Sequence, residues 1–136
     1  MTIKRAAALL YAIVSVFVVG FQIALAVGAP WGEFAMGGTH PGRFPPALRM
    51  SALVQAALLA GMAMVVLARA NLILPSWSKV SRLFVWIVAA IMALSFVLNL
   101  ITPSAGERAI WAPTALFLLI CSAIVAFPKS SERPTR

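Results

Sequence analysis

The sequence predicts an all-α integral membrane protein: an antiparallel four-helix bundle with an ordered outer loop between helices 1 and 2. Three observations carry this reading. Hydrophobic residues make up 62% of the 136 residues and charged residues only 10%, with a mean hydropathy of +1.00. Soluble domains carry about 25% charge, and a soluble fold of this length has no interior large enough for so much apolar surface. The apolar residues gather into four runs, about 6–28, 48–68, 83–101 and 110–127. Each is close to the roughly 20 residues that cross a hydrocarbon core as a helix. The cations punctuate these runs with a strong bias to one side. A cytosolic enzyme, a disordered tail and a secreted disulfide scaffold are excluded, and the length allows one transmembrane domain, 1–136.

The first run follows Lys4 and Arg5. Ala24, Leu25 and Ala26 resemble a leader-peptidase site, but the apolar stretch exceeds the 7–15 residues of a leader's core, so it reads as a retained span. The second run carries a ridge of Ala52, Ala56 and Ala60, with Ala57 and Gly61 beside it, and the third carries Ala89, Ala90 and Ala93. Small residues of this kind let helices approach closely, within one bundle or between chains. The connection between these two runs is short and holds Asn71 and Pro75 as helix stoppers. The fourth run is preceded by Ser104-Ala105-Gly106-Glu107, a capping-box pattern. Pro113 within it predicts a kink near its outer end. Strand-like alternation is lacking, which argues against a β-barrel.

Orientation follows from the positive-inside rule. One side collects Lys4, Arg5, Arg69, Lys79, Arg82, Lys129, Arg133 and Arg136 against a single acid, Glu132. The other holds Arg43, Arg49 and Arg108 against Glu33 and Glu107. Both termini are therefore expected in the cytoplasm of a cell bounded by this plasma (inner) membrane, with loops 29–47 and 102–109 outside. Trp31 and Trp111 then fall at the outer interface and Trp77 and Trp86 near the inner one. The formal charge of +8 does not indicate nucleic acid, because the cations lie between apolar runs rather than on one solvated face. The single cysteine, Cys121, forms neither an intrachain disulfide nor a redox pair.

Polar residues within the spans form stripes: Tyr11, Ser15 and Gln22; Ser51 and Gln55; Ser95, Asn99 and Thr102; Thr114, Cys121 and Ser122. Such spacing turns each stripe away from lipid. The stripes serve either as interhelical glue, about 0.6 kcal/mol per hydrogen bond, or as the lining of a cavity. Gln22, Gln55, Asn99 and Thr114 all lie toward the outer leaflet, beside the loop groups Glu33, His40, Arg43, Arg49, Glu107 and Arg108. The first outer loop is rich in Gly and Pro and also holds Trp31, Phe34, Met36 and Phe44, which suits a cap folded onto the bundle. Glu33 either pairs with Arg43, Arg49 or Arg108 or acts as an acid–base group. Arg43 and Arg49 either snorkel to headgroups or hold an anionic group. His40 has no ligating neighbour in the sequence, so no metal or other cofactor is expected.

No ionisable side chain falls in the middle of a span, which disfavours proton-coupled antiport. No phosphate loop, nucleophile elbow or zinc-protease motif occurs. The stretch Ala29-Pro30-Trp31-Gly32-Glu33-Phe34-Ala35-Met36-Gly37-Gly38, followed by Pro45, Pro46 and Arg49, resembles a group of small uncharacterised bacterial four-span membrane proteins. The run from Leu98 to Pro113 resembles the same group. The resemblance implies four spans and a structured first loop, and no activity.

The sequence thus points to a non-enzymatic binding or transport-type module with an outward-facing site for a small or lipid-like ligand. Its expected lining is Gln22, Trp31, Glu33, Arg49, Gln55, Asn99 and Trp111. The competing reading is an accessory or scaffold subunit that docks a partner membrane protein. Membrane lipids are expected as surroundings, and a homo-oligomer would suit the small-residue faces.

Overall fold

Each apolar run becomes one helix, lengthened by the residues that cap it. The computed structural model describes residues 1–128. Lys129, Glu132, Arg133 and Arg136 of the charge balance lie outside the described residues. The helices are α1 (Ile3–Ala26), α2 (Pro46–Arg69), α3 (Ser78–Ile101) and α4 (Ala105–Ala126). At 1.5 Å per residue, helices of 24 and 22 residues are about 36 and 33 Å long, slightly more than a hydrocarbon core of about 30 Å. All four are long and apolar enough to cross a membrane. Their outer faces are apolar as well: Val16 and Phe17 on α1 are 69% and 74% exposed. Chains of apolar surface on this scale belong against lipid.

The helix ends follow local chemistry. Thr2 caps α1 by accepting from the Arg5 amide. At its other end, Gly28 takes φ +104° while its amide and that of Ala29 bond back to Leu25 and Ala24. This is a Schellman ending, which glycine adopts without steric cost. The same motif ends α2, with Asn71 in the left-handed position and the Leu72 amide reaching the Leu67 carbonyl. Pro46 occupies the first turn of α2, where its missing N–H costs nothing. α3 starts at Ser78, ahead of its apolar run, because the turn Pro75–Trp77 leads directly into it. α4 starts at Ala105 because Ser104 accepts from the Glu107 amide at 3.2 Å. Only half of the capping box forms: the Glu107 carboxylate does not reach back to the Ser104 amide, which turns to Thr102 Oγ1 at 3.4 Å.

Helices α1 and α2 pack along each other, as do α3 and α4, and α1–α4 and α2–α3 contacts close the ring. Two apolar clusters fill it. The larger lies in the half that holds the N-terminus and the α2–α3 connection, and includes Ala8, Tyr11, Val66, Val85 and Val125, none of them exposed. The smaller lies under the α1–α2 loop: Leu25, Ala35, Phe44 and Ala52. We call these the terminal half and the loop end. The polar stripes do face inward, with Tyr11, Ser15, Thr102 and Ser122 buried.

Candidate functional site: a cavity beneath the first loop

The first loop is ordered by its own backbone. It forms two short 3-10 turns, Gly32–Phe34 and Met36–Gly38. The Gly32 amide donates to the Gly42 carbonyl at 2.9 Å, and a Cβ at Gly32 would collide with the His40 and Gly42 carbonyls. Phe44 is only 2% exposed and anchors the loop in the apolar cluster. Met36 holds a left-handed backbone (φ +49°), a conformation that costs a non-glycine residue about 1–2 kcal/mol.

The start of α4 clamps this loop from the other side. The Trp111 indole N–H donates to the Phe34 carbonyl at 2.7 Å. Ser104 Oγ donates to the Glu33 carbonyl at 2.8 Å. Glu107 Oε2 accepts from the Gly37 amide at 2.9 Å and from Thr102 Oγ1 at 2.7 Å. Gly106 fits against the Phe34 ring so closely that a Cβ there would force the ring aside. The two segments that face one end of the bundle are thus a single polar unit.

Beneath that unit lies a cavity of about 280 Å³. From α1 it takes Val18, Phe21 and Gln22; from the loop, Phe34, Ala35, Met36 and Phe44. Helix α2 adds Gln55, Leu58, Leu59 and Met62, and α3 adds Met92, Ser95 and Asn99. Helix α4 supplies Glu107, Trp111, Thr114, Ala115 and Leu118. Every helix contributes, and the cavity lies between the two apolar clusters, both of which share residues with its wall. Leu58 belongs to the wall yet is 62% exposed, so the α2 side is not sealed from the surroundings of the bundle.

Of the seven residues expected to line a site, Gln22, Gln55, Asn99 and Trp111 are in this wall. Gln22 Nε2 donates to Gln55 Oε1 at 3.1 Å, joining α1 to α2 across it. Asn99 turns to its own helix, donating to the Ser95 carbonyl at 2.8 Å and to Ser95 Oγ at 3.3 Å. Trp111 meets Phe21 at a ring separation of 4.7 Å and a tilt of 58°.

The other three stand outside the wall. Trp31 is exposed and stacks over the far side of the aromatic group, its ring 6.2 Å from Phe21 and nearly parallel to it. The Glu33 side chain is exposed, and its backbone carbonyl is what the fold uses. Arg49 donates from Nε to the Phe44 carbonyl at 2.8 Å, and its guanidinium lies against Gly28. Arg108 likewise donates to the Thr102 carbonyl at 2.7 Å. These arginines therefore brace carbonyls of the two connections rather than pair with Glu33. His40 Nδ1 lies 3.0 Å from Thr39 Oγ1. Among the described residues, no group of three His, Cys, Asp or Glu side chains is placed to hold a metal ion.

Sequence reasoning missed Phe21, Phe34, Phe44, Met62, Met92 and Glu107 as wall residues. A signal existed for α4, where Glu107, Trp111, Thr114, Ala115 and Leu118 follow helical spacing on one face. No periodicity could have found Phe34 or Phe44, because irregular backbone positions them. Comparison with family models, with curated proteins and with solved structures finds no match.

Proposed function

We propose that this chain is a non-enzymatic binding or transport-type protein of the bacterial inner membrane, and that the cavity receives a small or lipid-like ligand. In this reading both termini are cytoplasmic and the loop end faces outward, as the distribution of Lys and Arg favours. The observation that carries the reading is the cavity itself. It has an apolar and aromatic wall with a few convergent polar groups, the usual make-up of a small-molecule site. The exposed Leu58 in that wall supports entry from the side, out of the bilayer.

Native mass spectrometry of the protein released gently from its membrane tests this. A retained small-molecule or lipid mass is expected. Gln55→Ala and Asn99→Ala should each weaken its retention several-fold with little loss of folded yield. Parallel loss of retention and yield would make the polar groups structural. A second protein chain at fixed stoichiometry, with no retained small mass, would favour the scaffold reading instead.

A further inference from the structure

Building on the ligand-binding reading above, we propose that the cavity selects a free lipophilic organic cation, with its positive group beside Glu107 and its apolar body among the aromatic rings. In a chain of formal charge +8, the one charged side chain in the cavity wall is an acid. Arg43 and Arg108, next in sequence to the wall residues Phe44 and Glu107, and Arg49 are not in the wall; Arg43 is exposed, and Arg49 and Arg108 each donate to a backbone carbonyl. Both hydrogen bonds to Glu107 fall on Oε2, and Oε1 receives neither of them. A carboxylate has about four acceptor positions, and a charge in a low-dielectric site is costly until it is paired.

The neutral groups supply acceptors for such a ligand as well as donors. Gln22 and Asn99 donate through their amide nitrogens, which leaves both carbonyl oxygens uncommitted. With Glu107 Oε1 they make three open acceptor oxygens, alongside the Gln55 amide N–H groups and the second N–H of Gln22, and only Glu107 brings a charge. Trp111 and Phe21 form a tilted pair in the wall, and Phe34 stands beside them. The faces of such rings attract cations, the more so out of water. An anion would meet a carboxylate and carbonyl oxygens with no cation to hold it. A zwitterionic lipid headgroup brings a phosphate beside its ammonium and meets the same obstacle. Size sets a further bound: a cavity of roughly 150 Å³ takes up one benzene. By proportion about 280 Å³ holds a group of about eleven non-hydrogen atoms.

Benzyltrimethylammonium fits that size, and neopentylbenzene is its neutral carbon isostere. Binding of both to the full chain in lipid nanodiscs, by ligand-observed NMR, separates charge from shape. The cation should bind the native protein about tenfold or more tightly than the isostere. Glu107→Gln keeps an acceptor for Gly37 and Thr102, so it should abolish this preference while leaving the isostere's affinity within about twofold. Equal binding of the two probes to the native protein overturns the cation inference and leaves the cavity reading standing, with no variant needed. Binding of neither probe to the native protein overturns both. If a retained native mass proves to be a phosphate-bearing lipid, the cation inference fails on that result alone.

Discussion

The two ends of this bundle are held together by different physics. In the terminal half, Ala8, Tyr11, Val66, Val85 and Val125 pack with no exposed surface, and the Ser81 and Ser122 hydroxyls return to carbonyls of their own helices. Contact between side chains does the holding there, as is usual where lipid removes the hydrophobic drive between helices. Toward the loop end, a cavity lies among the four helices. The closure is made by polar bonds from Ser104, Glu107 and Trp111 to loop backbone. Close packing yields a fixed interior, whereas a polar clamp holds a cover over space. The division places close packing at one end and open space at the other.

Three substitutions break or sharpen this contrast. The largest effect should come from Tyr11→Ala, which removes the bulkiest fully buried side chain of the terminal half. A loss of about 3–5 kcal/mol is expected from thermal or denaturant unfolding in detergent. A loss below about 1 kcal/mol would mean that this half is not close-packed. Next comes Glu107→Ala, which removes the acceptor shared by Gly37 and Thr102. About 2–3 kcal/mol should be lost, and the loss should be local. Loop 29–45 should become cleavable by protease while circular dichroism keeps its helical signal. Unchanged protection would show that other contacts hold the cover.

The smallest effect, and the one of opposite sign, is Tyr11→Phe. Tyr11 and Ser15 each carry a buried hydroxyl without a hydrogen-bond partner. Removing an unsatisfied group while keeping the ring should leave stability unchanged or raise it by up to about 1 kcal/mol. A clear loss would reveal a partner for that hydroxyl in the membrane-embedded protein. It would also mean that polar bonding matters at both ends.

The same contrast explains what was legible in the sequence. The four helices were, because the bilayer forces backbone bonds to close within each segment, and run length then reports helix count. The inward turn of Tyr11, Ser15 and Gln22 was legible too, since helical spacing fixes a face. The α4 start was legible only in part. Ser104 caps as its spacing suggests, but the Glu107 carboxylate is claimed by Gly37, a residue 70 positions away. Trp31, Glu33 and Arg49 were singled out by chemistry alone. Their placement depends on the path of a loop whose turns are set by Gly32, Met36 and Phe44 together, and no periodicity encodes that path. The aromatic wall was hidden for the same reason.

The clamp on the first loop also sets an order of events during synthesis. Loop residues Glu33, Phe34 and Gly37 leave the ribosome long before Ser104, Glu107 and Trp111, with the Gly37–Glu107 pair separated by 70 residues. At about 5–20 residues per second, some 4–14 s pass between them. Through that interval α1 and α2 are already available to pair, while the segment between them lacks the three hydrogen bonds with Ser104, Glu107 and Trp111. Insertion of the final hairpin is then the step that completes the loop, so a chain truncated before Ser104 should leave it exposed once α2 is in place.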